Sequence, residues 1–195
     1  MIIRKLKKSD NLKQAAKLIY LTDPYIYPYW FEDDIEKGIQ TLTQMLQEPT
    51  IFSYKNCIVA IVNKQVVGLI VYVTKNSIQN KNLEKYKQQS FSARYTIEQY
   101  IEHLYSYNET KDVSIAVVCV LPEFRRHKIA SGMMEYLIQM FGEKTTYTLE
   151  RLKDNVPAGR LYEKYGFTIL KETTGFAGYG KPEVAICEMV RKKDV

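Results

Sequence analysis

The run VSIAVVCVL, residues 113–121, constrains this chain more than any other feature. An apolar stretch this continuous fits a strand covered on both faces, the central position of a sheet. Pro122 cannot donate to a strand ladder and ends it. The basic stretch FRRHK follows. Ile129, Ala130, Met133, Met134, Leu137, Ile138 and Phe141 then recur at helical spacing, which predicts a helix. A buried strand, a short loop and a helix in that order leave unbonded backbone N–H groups at the helix start, where the helix dipole adds partial positive charge. Such a junction receives phosphate through the main chain alone. Arg125, Arg126, His127 and Lys128 raise the positive potential further. A pyrophosphate-bearing ligand is the physical match, and a solvated helix start is the plain alternative. The chain has neither GxGxxG nor GxxxxGK[ST], which disfavours dinucleotide-binding and P-loop folds.

The remaining chain reads around that centre. Residues 1–6 form a strand, and Ser9 and Asp10 offer caps for a helix carrying Leu12, Ala15, Ala16, Leu18 and Ile19. TDPYIYPYWF (22–31) is rich in proline and aromatics and predicts an irregular loop. A helix over Glu32–Gln47 stops before Pro49. NCIVAIV (56–62) and VVGLIVYV (66–73), broken by Asn63, Lys64 and Gln65, predict a hairpin. Residues 75–90 are polar, and Phe91, Tyr95, Tyr100, Ile101, Leu104 and Tyr105 then fall near one helical face. The span 75–111 is therefore a partly helical insert. TTYTLER (145–151) is a further strand. Asn155 caps a helix with Pro157 in its first turn, running through Leu161, Tyr162 and Tyr165 to Gly166. FTILKE and VAICEMVR are the last strands. The order predicts one domain over residues 1–195, α/β (α+β), with a mixed central sheet of about seven strands and helices on both faces.

Charge and cysteines narrow the function. The net charge of +6 is scattered, with only short basic runs at Lys5–Lys8 and Arg191–Lys193, so no nucleic-acid partner is expected. Cys57, Cys119 and Cys187 are odd in number, lie in apolar runs and lack a CxxC partner, which points to a reduced, cytoplasmic setting. The N-terminal stretch lacks the apolar core of a signal peptide, and no apolar run approaches the ~20 residues of a membrane span. His103 and His127 have no ligand cluster around them, so no metal is expected.

The stretch VCVLPEFRRHKIASGMM resembles the acetyl-CoA signature of the GNAT superfamily, V-x-P-x-x-[R/Q]-x-x-G-x-[G/A]. Pro122, Arg125 and Ala130 match, and Lys128 stands where the central glycine is usual. NVPAGRLYEKYGF (155–167) is similar to the family's second motif, N-x-x-A-x-x-L-Y-x-K-x-G-F, in every named position. The resemblance covers most of the chain except 75–111. It implies an acetyl-CoA-dependent N-acetyltransferase in which a primary amine, on a small molecule or a peptide, attacks directly. The alternative is a catalytically silent CoA-binding module. By the resemblance, the backbone amides of Arg126, His127, Lys128, Ile129, Ala130 and Ser131 hold the pyrophosphate beside Arg125. Val118 and Val120 pair through their main chain with the pantetheine arm, and Asn155 belongs to the cofactor-binding set. A homodimer is left open.

Acyl transfer needs a neutral amine, a stabilised oxyanion and a proton for the leaving thiolate. Tyr162 is the candidate donor, because a phenol stays protonated at neutral pH; an ordinary core tyrosine is the alternative. Glu150, in the strand TLER, is the candidate base, against an exposed strand-end glutamate; its neighbour Arg151 could pair with a carboxylate and alter the geometry. A backbone N–H near Val120 would meet the oxyanion where strands 113–121 and 145–151 part. Cys119, inside an apolar strand, is expected to be inert. The aromatics of 22–31 and Tyr95–Tyr107 either frame the acceptor pocket or belong to the core. Asp23, Glu32, Asp33 and Asp34 either attract a cationic amine or cap a helix.

Overall fold

The computed structural model describes residues 1–74, 77, 112–174 and 184–192. Apart from Ser77, the helical insert expected between 75 and 111 lies outside the described residues.

Seven strands form one sheet: β1 (Ile2–Lys5), β2 (Cys57–Val62), β3 (Gln65–Val73), β4 (Val113–Val120), β5 (Tyr147–Leu152), β6 (Thr168–Thr174) and β7 (Ala185–Arg191), in spatial order β1-β2-β3-β4-β5-β7-β6. The helices are α1 (Leu12–Tyr20), α2 (Ile26–Trp30), α3 (Ile35–Gln47), α4 (Ile129–Phe141) and α5 (Val156–Lys164). Only the β4–β5 pairing is parallel. β4 is the fourth of the seven strands, the central position expected for residues 113–121, and its neighbour β3 is buried along nearly its whole length, as expected for a strand covered on both faces. α4 packs across β1 to β4 on one face, and α1, with α3 against it, covers β3 and β4 on the other.

Three local expectations are corrected. The segment 22–31 is not wholly irregular. The Asp23 carboxylate accepts the N–H groups of Tyr25 and Ile26 at 2.8 and 2.9 Å and starts the short helix α2. Its aromatics Tyr27, Trp30 and Phe31 are core residues; their apolar area outweighs the turn signal of the prolines. α3 begins at Ile35 rather than Glu32, because Asp34 caps it through the Lys37 N–H at 3.0 Å. The β2–β3 turn is Asn63-Lys64 alone, both at positive φ (49° and 65°), and Gln65 already belongs to β3. That is the turn geometry whose twist matches a two-residue hairpin.

Asp10 locks the end of β1 to the turn before α1. Its carboxylate accepts both Arg4 Nη groups at 2.7 and 2.8 Å and the Lys7 N–H at 2.7 Å. The Arg4 hydrogen bond holds this carboxyl below the usual carboxylate range, against a smaller opposing effect of burial. The stabilisation is therefore complete above the unfolded-chain value of about 3.9 and is lost as pH falls through the folded value. Asp10→Asn is expected to lower stability by about 1–2 kcal/mol at neutral pH, and by progressively less in acid. Urea unfolding at neutral and acid pH reads this; an equal loss at both contradicts it.

Candidate functional site

β4 and β5 pair through Val113–Tyr147, Ser114–Thr148 and Ile115–Leu149 only. Beyond that rung they diverge. The register of β3 against β4 passes from Val71–Val117 to Tyr72–Ile115, so Ala116 is an extra residue in β4, a bulge at the point of divergence. Bulges bend a strand away from its neighbour. The Ser114 and Thr148 hydroxyls, buried and 2.9 Å apart, pin the closed end. The Leu121 N–H donates to Val67 O at 2.9 Å. Main-chain groups of alternate residues point to opposite neighbours, so Cys119 and Leu121 address β3, while Val118 and Val120 address the widening gap.

The gap holds a cavity of about 100 Å³ that passes through the sheet. Thr22, Asp23, Ile26 and Tyr27 close it on the α1–α2 side, and Asn155, Ala158 and Tyr162 on the α5 side. Ala116–Val118 and Glu150–Leu152 form its walls. Side chains alternate along β5. The Arg151 guanidinium lies against Gly159 of α5, so Arg151 faces that helix, and Thr148 and Glu150 face the opposite way.

At the mouth of the gap, Pro122–Phe124 make a single 3-10 turn and α4 starts at Ile129. Arg126 and Lys128 both take left-handed backbone conformations, φ 67° and 60°. His127 Nδ1 lies 2.8 Å from Arg125 O and 3.3 Å from Phe124 O. Carbonyls only accept, so Nδ1 carries the proton and ties the turn. Arg125 Nε donates to Val120 O at 3.1 Å, leaving the Val120 N–H for the gap. From Arg126 to Ser131 no backbone N–H has an acceptor among the described residues. Six consecutive amides over a turn of alternating left-handed residues, at a helix N-terminus, suit an anion with several oxygens.

The left-handed conformation at Lys128 costs a non-glycine residue about 1–2 kcal/mol. Lys128→Gly is therefore expected to leave stability unchanged or raise it by about 1 kcal/mol, and the β-branched Lys128→Val to lower it by about 1–2 kcal/mol. Denaturant midpoints of the two variants test the pair; a glycine variant less stable than the valine one refutes it.

Tyr162 is buried at the cavity wall, its ring 6.0 Å from that of Phe167. Its hydroxyl makes no hydrogen bond among the described residues. Burial pushes its pKa well above the ordinary tyrosine value, making it a weaker acid; Arg151 opposes this and Cys119 adds to it. Arg151 Nη1 donates to Leu152 O at 2.9 Å and Lys153 O at 2.8 Å. The carboxylate pairing anticipated for Arg151 is thus replaced by bonds to the end of its own strand. Glu150 lines the cavity half-buried, directly opposite Glu188 in the β5–β7 register. Asn155 Oδ1 accepts the Ala158 N–H at 3.3 Å and caps α5, while the residue also lines the cavity. Burial raises the Cys119 thiol, more than Thr22 and Arg125 lower it, which disfavours a thiolate nucleophile.

A sequence profile of the Acetyltransferase (GNAT) family matches residues 24–167. The chain belongs to the GNAT acetyltransferase family. Solved structures share its fold. One is an N-acetyltransferase from Staphylococcus aureus, 15% identical over 97% of this chain and 100% of that one, with a TM-score of 0.67. A histone acetyltransferase HPA2 and related acetyltransferase from Corynebacterium glutamicum is 15% identical over 99% and 96% of the two chains, TM-score 0.66. A NatC complex bound to Gag peptide and CoA is 17% identical over 100% and 98%, TM-score 0.61. No curated protein matches the chain.

In this GNAT chain the structure gathers Val118, Glu150, Asn155 and Tyr162 at one cavity, with the turn from Arg125 to Ser131 and the Val120 N–H at the mouth of the same gap. It does not gather the proposed acidic patch. Glu32 pairs with Lys37 at 3.1 Å, Asp34 caps α3, and of the four acids only Asp23 lines the cavity. Of the aromatics in 22–31, only Tyr27 reaches the cavity; Tyr95–Tyr107 lie outside the described residues. The Ser114–Thr148 pair went unnoticed in the sequence, although a hydroxyl within each of two apolar strands is the signal for it. Among the described residues no group of three His, Cys, Asp or Glu could hold a metal ion, and no helix is long and apolar enough to cross a membrane.

Proposed function

We propose that this GNAT protein transfers an acetyl group from acetyl-CoA to a primary amine of a small molecule or a peptide. The observation that carries the reading is the through-sheet gap between β4 and β5 with six acceptor-free amides at its mouth. Amides Arg126–Ser131 would hold the diphosphate, with Arg125, Arg126, His127 and Lys128 supplying positive potential. Val118 and Val120 present an open strand edge suited to the amide-bearing pantetheine arm. Asn155 at the head of α5 lines the same channel. The fit therefore rests on acceptor-free main-chain donors at the mouth of the gap, suited to the coenzyme's diphosphate. The coenzyme supplies the activated acyl group.

The protein residues would do the rest. The Val120 N–H faces the place where negative charge develops on the acyl oxygen. Tyr162, protonated at neutral pH, gives a proton to the departing sulfur. Glu150, on the opposite face of the sheet, takes the proton of the incoming amine, and Asp23 adds a carboxylate to that entrance. The peptide-bound NatC structure supports a peptide amine among the acceptors. One sheet joining every described strand supports reading residues 1–195 as one domain, and three buried free cysteines suit a reducing compartment such as the cytoplasm.

Titration calorimetry with CoA and acetyl-CoA is expected to show one site, and thiol release from acetyl-CoA is expected to rise with at least one class in a panel of small amines and peptides. Absence of heat with either coenzyme rejects the reading. Binding without turnover across the panel replaces it with a silent CoA-binding module.

A further inference from the structure

Arg151 occupies a place that a structural arginine does not need. It is one of the cavity-lining residues of β5, and its Nε is buried with no partner among the described residues. Among the described residues only Nη1 is committed, to Leu152 O and Lys153 O. A side chain serving merely to close the end of β5 would be satisfied by those two carbonyls without lying flat across α5. It does lie so: a Cβ built on Gly159 would meet the guanidinium carbon and Nη2 at 3.0 Å. The residue without a side chain is what admits the cation, and Tyr162 follows it by one turn on the same helix, facing the same cavity.

We propose that Arg151 is a positioning residue: its guanidinium, laid across Gly159, holds positive charge beside the Tyr162 hydroxyl and stabilises the phenolate left when that hydroxyl gives up its proton. The proposal rests on the acetyltransferase reading and deepens it. In the transfer the amine nitrogen forms a bond to the acyl carbon and the carbon–sulfur bond breaks. The bonding pair goes to sulfur, and sulfur takes the phenolic proton. Glu150, having taken the proton lost by the amine, releases it to solvent, and the phenolate regains a proton from solvent, so both groups are regenerated. A buried phenol is a poor donor to a thiolate, whose conjugate acid has an ordinary value near 8.5. An adjacent cation narrows that mismatch. The groups acting on Tyr162 are Arg151 from β5, which favours the phenolate, and Cys119 from β4, which disfavours it; Glu163 and Lys164 on α5 are exposed.

The test needs a readout independent of turnover. A trifluorinated tyrosine, acidic enough to titrate while the protein stays folded, is placed at position 162 and followed by fluorine NMR in the full chain. Arg151→Met is expected to raise the midpoint of that signal by about one pH unit, and Arg151→Lys by less. In parallel, Arg151→Met is expected to lower kcat roughly tenfold, with acetyl-CoA affinity by calorimetry unchanged, yet to change little in a Tyr162→Phe background. If Arg151→Met does not fold, the lysine and Arg151→Gln variants carry the same comparison. An unmoved midpoint, or an equal loss of kcat with and without the Tyr162 hydroxyl, overturns the proposal. The titration uses neither coenzyme nor amine, so a failure of the acetyltransferase reading shows separately, as absent CoA binding beside a shifted midpoint.

Discussion

Tyr162→Phe is expected to lower kcat for acetyl transfer by about 10²–10⁴-fold while CoA binding and folding persist, because the hydroxyl is the only thing removed. The phenylalanine ring keeps the packing against Phe167. The lost hydroxyl makes no hydrogen bond among the described residues, so no partner is stranded by its removal. Burial, the dominant influence, holds this phenol above its ordinary value, so it stays protonated throughout the neutral range. The wild-type kcat should then show no loss from this group between weakly acid and weakly basic pH. Steady-state rates with an accepted amine, together with calorimetry for CoA, decide the matter. A kcat reduced less than about fivefold would leave Tyr162 as a core side chain, since a positioned proton donor is worth more than that.

Trp30→Ala is expected to cost about 3–5 kcal/mol of unfolding free energy, a large share of the roughly 5–15 kcal/mol that holds a domain of this kind. Trp30 is 1% exposed and meets Tyr27 edge-on, with ring centres 5.5 Å apart at 76°. Tyr27 in turn contacts Phe52 at 6.5 Å and lines the cavity. Five residues of helix cannot hold their shape alone, so α2 depends on this aromatic contact and the cavity wall depends on α2. Trp30→Phe should lose less, since much of the ring area remains. Urea unfolding followed by far-ultraviolet circular dichroism measures both; a loss below about 1 kcal/mol for the alanine variant would show that α2 is not anchored through this ring.

Much of this arrangement could be read from residues before any coordinates. The nearly continuous apolar run 113–121, closed by Pro122 and followed by a helical repeat, predicted β4, the turn and α4, because burial on both faces leaves only the small Ser114 hydroxyl to interrupt the strand. Asn155, Pro157 and Gly166 bounded α5 almost to the residue, since caps and left-handed turns are local chemistry. What failed was where local and long-range signals disagree. Prolines and polar neighbours in 22–31 spelled a loop, yet the aromatic area of Tyr27, Trp30 and Phe31 drew a helical turn into the core. The acids near Asp23 looked like one patch in sequence, but Asp34 was consumed by a helix cap and Glu32 by a lysine. Gly159 passed as a variable position of the second motif. Its meaning depends on Arg151 from another strand, a contact that no spacing along the chain encodes.

The slot between β4 and β5 opens on both sides of the sheet, with Tyr162 and Arg151 toward one and Glu150 with Asp23 toward the other. Two molecules meeting there arrive through separate doors and touch only in the middle. On the proposed function, such an enzyme would form a ternary complex before anything leaves. Double-reciprocal plots should therefore intersect rather than run parallel, and label should not pass from acetyl-CoA to free CoA until an acceptor is added.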